Sequence, residues 1–285
     1  MIVSVQIGAT HMIHVITAAN RSLYGPQLLQ MHRLRAKIFV EGMGWNRPIA
    51  ADGGEYDEGD DDRAIYFLAI DANGDVEAGI RARPTDDWCM AADVFPHFVG
   101  PDEESVRNPD VWEMARLFAV GNLRGAEGFN RRGEVRLAIL EKAVECGVRR
   151  IIGMSEVYLV GPAMRSGWRL RVCGLPQCYG EGDAVAVEVE ASPGAVDELM
   201  ERLALTQSVM LELDACHPIA DIGPKEAEVF AEAVRRLTPE SRQLVSGIGR
   251  AIAKIEQAEG VEAAIAAVER VRRVISAPEA VEAGD

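Results

Sequence analysis

The chain has 285 residues, of which 48% are hydrophobic and 26% charged, and its formal net charge at pH 7 is −15. The length is enough for one large core, and the negative charge argues against a nucleic-acid binder, which needs a basic face for the phosphates. No uncharged apolar run reaches the roughly 18 residues of a membrane-spanning helix. The N-terminal segment shows neither the basic region nor the cleavage site of a signal peptide. The five cysteines form no CxxC pair, which indicates reduced thiols and a cytoplasmic location.

The first half of the chain predicts a helix, a long loop and antiparallel strands. Residues 26–40 carry apolar residues at helical spacing. Residues 44–62 are rich in Gly, Pro and Asp, which is typical of a loop, and loops of this length are commonly functional. Two strand-like runs in 64–85 flank an Asn-Gly dipeptide, the strongest hairpin signal, and residues 111–120 predict a third strand.

The second half alternates helices and strands before it becomes purely helical. Its patterns predict a helix, a strand, a helix interrupted at Gly161-Pro162, and two strands, over residues 131–147, 149–156, 157–168, 168–174 and 183–191. This order predicts an α/β fold, an α-β-α sandwich with a mixed, largely antiparallel sheet. The lack of a G-x-G-x-x-G turn disfavours a dinucleotide-binding domain. Past residue 212 the Ala-, Glu- and Val-rich sequence predicts helices, so the domains are expected at 1–211 and 212–285.

The charged residues are unevenly distributed. Acidic residues crowd the segment 52–62, and basic residues crowd the segment 131–171. An acidic protein with one local basic face can receive an anionic partner there, whereas most charge runs are only solvated surface. Both interpretations stay open, and the residues predicted for docking are Arg149, Arg150 and Arg165.

Five short blocks place charged and aromatic residues in apolar surroundings, where an unpaired charge costs free energy. The blocks are Arg-x3-Phe-x5-Trp, Asp-x2-Asp, an Arg three residues before Pro-Thr, Val-Phe-Pro and Trp-Glu-x2-Arg. They supply Arg35, Phe39, Trp45, Asp57, Asp60, Arg81, Phe95, Glu113 and Arg116. In this order they resemble the blocks of the LuxI-type acyl-homoserine lactone synthases, whose fold is similar to that of the GNAT acyltransferases, with a splayed sheet that grips a pantetheine arm.

The resemblance covers residues 30–120 and is looser over 150–190. Ala115 stands where the family usually has Ser or Thr, and the region past 212 is longer than in typical members. Residues 124–128 are only a weak echo of the pyrophosphate loop Arg-x2-Gly-x-Gly. That absence fits the synthases better than the coenzyme-A-dependent N-acetyltransferases.

The resemblance implies an enzyme that joins an acyl group to S-adenosylmethionine, closes a lactone and releases methylthioadenosine, so that the product is a quorum-sensing signal. The ammonium of the substrate must lose a proton before it attacks a thioester. Glu113 is the candidate base, directly or through a water, and Arg81 and Arg116 join it in the catalytic set. Asp57 and Asp60 are expected to hold the ammonium and the sugar hydroxyls, since carboxylates accept hydrogen bonds.

The remaining predicted contacts to S-adenosylmethionine are aromatic and cationic. Phe39 and Trp45 are expected to face the sulfonium or the adenine, because a ring attracts a desolvated cation, and Phe95 belongs to the same site. Arginine suits the substrate carboxylate and also neutralises buried acids. Arg35, Arg81 and Arg116 are assigned to that network without a decision on which of them touches the ligand.

Two geometric expectations concern the strands. Residues three apart on a regular strand point to opposite faces, so Glu113 and Arg116 line one cleft only if the strand bulges or splays. The acyl pocket is predicted between the strand of Ile151 and the helix that follows it. Its lining residues are Ile152, Met154, Ser155, Leu159 and Met164, with Ser155 offering a hydroxyl to an oxo group on the acyl chain.

The acyl donor predicted from the resemblance is acyl-carrier protein, docked on the basic face, with acyl-CoA as the close variant. Two other functions remain open: a GNAT-type acyltransferase acting on another amine, and a non-catalytic regulatory module assembled through the C-terminal extension. The same extension would also allow a homo-oligomer. The histidines lack metal-ligand spacing, so neither a metal nor a permanently bound cofactor is expected.

Overall fold

The computed structural model describes residues 12–71, 73–101, 105–120, 126–179 and 182–213, without the side chains of 126–130. Apart from Leu213, these residues belong to one compact unit, Met1–Glu212. The helices predicted past residue 212 lie outside the described residues. The helical extension, its role in assembly and the predicted domain division therefore stay predictions.

Nine strands of the described chain form one sheet. They are Ile13–Ile16 (β1), Ile65–Ile70 (β2), Val76–Pro84 (β3), Val111–Ala119 (β4), Arg150–Glu156 (β5), Leu170–Val172 (β6), Gln177–Tyr179 (β7), Gly182–Glu190 (β8) and Met210–Leu211 (β9). Their order is β6-β8-β5-β4-β3-β2-β1-β9, and β7 also pairs with β8. Only β4–β5 and β1–β9 among these pairs are parallel, which confirms the predicted mixed, largely antiparallel sheet.

The helices of the described residues are Gly25–Arg35 (α1), Met90–Asp93 (α2), Ala126–Glu145 (α3), Val157–Arg165 (α4) and Pro193–Arg202 (α5). Single 3₁₀ turns cover Arg21–Tyr24 and Pro96–Phe98. The helix α1 continues without a break into a π-helix over Ala36–Gly42. Such wider turns are frequent at functional sites, and this one carries the chain from Arg35 to the long loop.

Each face of the sheet packs on a different helical layer. The larger core joins Trp112 and Ile151 of the sheet to Leu137 and Leu140 of α3, and α5 packs on the same side through Leu199. A second core on the opposite face is formed with α1 and the π-helix, by residues that include Met31, Phe39, Tyr66, Leu68 and Phe118. The two layers confirm the predicted α-β-α sandwich.

Some elements differ from the sequence predictions. The strands β1, β7 and β9 were missed, since runs of two to four residues are too short for an alternating pattern to be read. The helix α5 was missed although Ser192 caps it, accepting from the Ala195 N–H at 3.2 Å, and a proline follows. The predicted interruption at Gly161-Pro162 is wrong, because α4 runs through it. A proline there removes one backbone hydrogen bond, that of the Tyr158 carbonyl.

Candidate active site

A β-bulge in β4 shapes the centre of the sheet. Arg81 of β3 lies opposite Ala115 and Gly79 lies opposite Phe118, so that one residue of β3 faces two of β4. Within the bulge Arg116 has a φ of 59°, in the left-handed region that side chains other than glycine rarely adopt. Such strain persists only where the surroundings over-determine it, and it clusters at functional sites.

The bulge reverses the alternation of side chains along β4. Before it, Trp112 and Met114 belong to the core under α3, whereas Phe118 after it belongs to the core under α1. Glu113 therefore points to the α1 face, and the bulge turns Arg116 to that face as well. The geometric condition stated from the sequence for a shared cleft is met.

The two central parallel strands part at their carboxyl ends. Their ladder runs only from Val111–Arg150 to Met114–Gly153, although β4 continues to Ala119 and β5 to Glu156. A Cβ added at Gly153 would lie 2.9 Å from Cγ of Met114, so a glycine permits the close approach at the apex. The sheet is therefore splayed next to the bulge.

Six buried charged side chains form one network, called the ion lattice below: Arg35, Glu55, Asp57, Asp60, Arg81 and Arg116. Its first half is centred on Arg35, at the end of α1. Its Nη1 and Nη2 donate to both carboxylate oxygens of Asp60, at 2.7 and 2.8 Å, and its Nε donates to Oε2 of Glu55 at 2.7 Å. The side chains of Arg35 and Glu55 are completely buried. Tyr66 donates its hydroxyl to Asp60 at 3.0 Å, so the acceptor positions of Asp60 are largely occupied.

The second half of the lattice comes from β3 and the bulge. Arg81 pairs with Asp57, and its Nη1 lies 2.9 Å from Oδ1 of Asp60. Nη2 of Arg116 lies 2.8 Å from Oε1 of Glu55 and 2.7 Å from Oδ2 of Asp57. The sequence had assigned Asp57 and Asp60 to the substrate ammonium and hydroxyls; in the structure both are held by arginines of the protein.

The ion lattice is electrically balanced, with three guanidinium groups facing three carboxylates. Burial alone would raise the pKa values of Glu55, Asp57 and Asp60, but the hydrogen bonds and charges of the arginines outweigh it and hold all three below their ordinary values. The three acids are therefore ionised at neutral pH. Such a lattice strongly penalises the loss of any one partner.

Phe39, Trp45, Phe95 and Tyr179 form an aromatic wall beside the ion lattice. Phe39 and Trp45 stack with ring centroids 4.8 Å apart, and the Arg116 guanidinium lies 5.0 Å from the Trp45 ring centroid. Edge-to-face contacts join Tyr179 of β7 to Trp45 at 6.5 Å and to Phe95 at 5.4 Å. The structure thus brings together the three predicted aromatic residues, and Trp45 and Phe95 keep part of their surface exposed.

Glu113 is buried and holds the start of α2. Its two carboxylate oxygens accept the backbone N–H groups of Met90 and Ala91, at 2.9 and 2.8 Å. Burial raises the pKa of Glu113, and these backbone N–H groups and the charge of Arg81 offset that rise only in part. A carboxyl group whose pKa lies above its ordinary range is suited to accept a proton near neutral pH.

The structure divides the residues predicted for the acyl pocket. Ile152 and Met154 lie on one face of β5, where Met154 packs beside Phe95 and Phe98. The Oγ of Ser155 donates to the carbonyl of Glu156 at 3.2 Å, so its hydroxyl already has a partner.

The other two pocket residues are not brought to that face. Leu159 and Met164 are 43% and 53% exposed, because α4 packs on the core through Val160 and Ala163 instead. The structure does not place them with Ile152 and Met154, and their assignment to the acyl pocket stays a prediction.

The three arginines predicted for docking differ in their exposure to solvent. Arg149, at the start of β5, is 61% exposed and pairs with Asp110, and Arg165 is exposed at the end of α4. Arg150 is buried, and its Nη1 donates to Glu188 at 2.9 Å. The predicted docking role of Arg150 is therefore wrong, because its side chain is buried and bound to Glu188.

Glu55 and Tyr179 are site residues that the sequence did not single out. Glu55 is one of many acids in the segment 52–62, and only its place two residues before Asp57 hinted at a role. Tyr179 is the last residue of β7 and pairs with Gly182 of β8, and no spacing in the sequence relates it to Trp45.

Two features are absent from the described ranges. In this part of the chain no group of three or more His, Cys, Asp or Glu side chains is arranged to hold a metal ion. None of the helices described is long and apolar enough to span a bilayer.

Comparisons with known proteins point to one family. The family model described as autoinducer synthase matches residues 20–199. The isovaleryl-homoserine lactone synthase of Bradyrhizobium diazoefficiens is 31% identical over 199 residues, covering 70% of this chain and 88% of that protein. The acyl-homoserine-lactone synthase of Ralstonia nicotianae is 31% identical over 163 residues, covering 55% of this chain and 80% of that protein.

Solved structures similar to this chain are also acyl-homoserine lactone synthases. BjaI, a CoA-dependent acyl-homoserine lactone synthase solved with SAM and isopentyl-CoA, is 28% identical with a TM-score of 0.65, over 78% of this chain and 99% of that one. MesI, also CoA-dependent, is 26% identical with a TM-score of 0.61, over 70% of this chain and 98% of that one.

Proposed function

Because the chain belongs to the autoinducer synthase family, we propose that it synthesises an acyl-homoserine lactone from S-adenosylmethionine and an acyl thioester. The enzyme is an acyltransferase, like the acyl-homoserine-lactone synthases to which it is related. One observation carries the proposal: a buried arginine–carboxylate lattice and an aromatic wall meet beside the splayed strands β4 and β5. This arrangement offers a cation-binding surface next to a slot for an acyl arm.

The proposed reaction has two steps. The amine of S-adenosylmethionine attacks the thioester carbonyl, the new C–N bond replaces the C–S bond, and the thiol leaves with a proton. The carboxylate of the acylated product then attacks its own γ-carbon, the C–O bond closes the lactone, and the C–S bond to the sulfonium breaks to release methylthioadenosine. Positioning alone contributes about 7–11 kcal/mol to such an intramolecular step.

The site residues divide these tasks. Glu113 takes the ammonium proton, directly or through a water, since burial raises its pKa. Trp45 and Phe39 face the sulfonium or the adenine, with Phe95 beside them. Asp57 and Asp60 contribute negative charge near the ammonium, and Arg35, Arg81 and Arg116 keep these carboxylates ionised and in place.

We propose acyl-CoA as the donor, ahead of acyl-carrier protein. Two of the similar solved structures are described as CoA-dependent. In addition, the charge of −15 disfavours an acidic carrier, and Arg150 contributes no free charge to the predicted docking face. The acyl chain is expected to lie along Ile152 and Met154.

The first test is a donor panel. Incubating the full chain with S-adenosylmethionine and matched acyl-CoA and acyl-carrier-protein donors is expected to release methylthioadenosine and an acyl-homoserine lactone, detected by mass spectrometry. Turnover of a thioester with another amine, while S-adenosylmethionine stays intact, would instead identify an acyltransferase of different substrate class. Intact substrates with every donor would refute both.

The donor assignment is tested by reversing the exposed charges of Arg149 and Arg165 together. With acyl-CoA the KM is expected to stay unchanged, because both side chains are exposed and Arg149 pairs with Asp110, which is not part of the ion lattice. If acyl-carrier protein is the better donor and its KM rises in the double variant, the carrier-protein mechanism holds. Arg150 is left intact, since it is buried and its Nη1 donates to Glu188.

A further inference from the structure

The substrate carboxylate needs a cation that the ion lattice does not offer. All three guanidinium nitrogens of Arg35 donate hydrogen bonds to Glu55 or Asp60. Arg81 and Arg116 are likewise bound to lattice carboxylates. A ligand carboxylate that reached any of them would displace a buried acid of the protein and leave it unpaired, which is costly.

Arg47 lies at the edge of the same site, and its guanidinium nitrogens make only weak contacts with the described residues. Its Nη2 makes only long contacts, 3.4 Å to the Tyr56 carbonyl and 3.5 Å to Glu58. Its buried Nε has no hydrogen-bond partner among the residues that the structure describes. The side chain is 33% exposed.

The position of Arg47 relates it directly to the predicted substrate contacts. Its backbone N–H donates to the carbonyl of Trp45 at 2.9 Å, which ties it to the aromatic wall by a tight turn. Its Nε lies 3.9 Å from Oε1 of Glu55, the oxygen that Nη2 of Arg116 also approaches. Arg47 thus forms an outer layer over the ion lattice, adjacent to the guanidinium that faces Trp45.

We propose that Arg47 receives the α-carboxylate of the sulfonium amino-acid substrate, an inference that rests on the proposed function. An arginine presents paired donors that match a carboxylate, and here the weak partner Glu58 is 69% exposed and yields at little cost. With the carboxylate on Arg47 and the sulfonium against Trp45, the amine is directed to the interior of the site, where Glu113 lies.

This contact is made to the substrate before reaction. The same carboxylate becomes the nucleophile of lactonisation, so it must leave the guanidinium when it attacks the γ-carbon. Through the acylation step the contact is the same in the ground state and the transition state, and removing a contact of that kind raises KM without changing kcat. Arg47→Gln is therefore expected to raise the KM for S-adenosylmethionine while kcat is largely kept.

The decisive experiment removes the carboxylate from the ligand as well as the arginine from the protein. Binding of S-adenosylmethionine and of its decarboxylated analogue is measured by calorimetry on the full chain without an acyl donor. The wild-type protein is expected to prefer S-adenosylmethionine by roughly 10- to 100-fold, the range of a charged hydrogen-bonded contact. In Arg47→Gln this preference should fall close to one, with the affinity for the analogue unchanged.

Arg63→Gln is the matched control, because Arg63 is 39% exposed and pairs with Asp86 and Asp87 on the surface; it should keep the wild-type preference. Arg47→Lys should keep part of it, since the charge remains without the paired donors. A preference retained in Arg47→Gln overturns the inference, as does an equal loss of affinity for both ligands, which marks a structural role. If the wild-type protein binds neither ligand, the proposed function itself fails.

Discussion

Replacing Asp60 with alanine is expected to lower the free energy of unfolding by about 3–5 kcal/mol, the usual cost of removing one partner from a buried ion pair. Asp60 accepts both terminal nitrogens of Arg35 and a third contact from Arg81. Without it, two buried guanidinium groups would face only Glu55 and Asp57. Urea unfolding followed by circular dichroism measures the loss, and S-adenosylmethionine binding should disappear with it.

The neighbouring Asp62→Ala variant is the control. Asp62 belongs to the same acidic segment, but its side chain is 96% exposed and its contact with Arg21 is 3.4 Å long. An exposed pair of this kind contributes little, so the stability should change by less than about 0.5 kcal/mol. Equal effects of the two variants would mean that the ion lattice does not stabilise the fold.

The pH dependence of the Asp60→Ala effect has a definite sign. Burial raises the pKa of Asp60, but Arg35 and Arg81 outweigh it and leave the pKa below its ordinary value. A carboxyl with a lowered pKa in the folded state contributes its stability above the unfolded value, about 3.9, and loses it as the pH falls further. The difference between wild type and variant should therefore be full at pH 6–8 and shrink progressively below about pH 4.

Replacing Glu113 with glutamine is expected to lower kcat by about 100- to 10,000-fold, the usual contribution of a general base. The amide keeps the shape of the side chain and one acceptor for the N–H groups of Met90 and Ala91, so the fold should persist. Burial raises the pKa of Glu113, so wild-type kcat/KM should fall as the pH drops through that raised value. Steady-state release of methylthioadenosine from pH 4 to 8 records both effects.

The pH profile separates a base from an anchor. If Glu113 serves only to hold the start of α2, the glutamine variant will lose activity by the same factor at every pH, and its residual kcat/KM will still fall at low pH. If Glu113 is the base, the residual kcat/KM of the variant will no longer fall at low pH. Glu134→Gln is the control, because Glu134 is also buried with a pKa raised by burial, yet it pairs with Arg131 on α3. Near-normal turnover of Glu113→Gln would remove Glu113 from the mechanism.

Long periodic elements and the motif blocks were readable from the sequence. Helices α1 and α3 and strands β2 to β5 and β8 were predicted near their observed bounds, because each presents an apolar face of the right period to a large core. The Asn-Gly turn, the long polar loop and the order of the five blocks could be predicted as well, because each depends only on residues close together in the sequence. The residues of those blocks meet as expected in one region, around Arg116.

What those residues do to one another depended on the fold. The sequence shows an excess of acids in 52–62 but not that Glu55 is fully buried between Arg35 and Arg116 while Asp62 faces solvent. That difference depends on which turn of the loop faces the sheet. In the same way, Arg150 lost its predicted exposure because β8 brings Glu188 against it.

By itself, therefore, the sequence determined the long helices and strands and the sandwich, which follow from periodicity, and the family, through the resemblance of its five blocks. Only the tertiary structure decided that Arg116 turns to the face of Glu113, because a bulge is a mismatch between two strands and is invisible in either one. It also decided which arginines are already neutralised and that Arg47 is not held in the same way, because charge pairing across distant segments is a property of the folded chain.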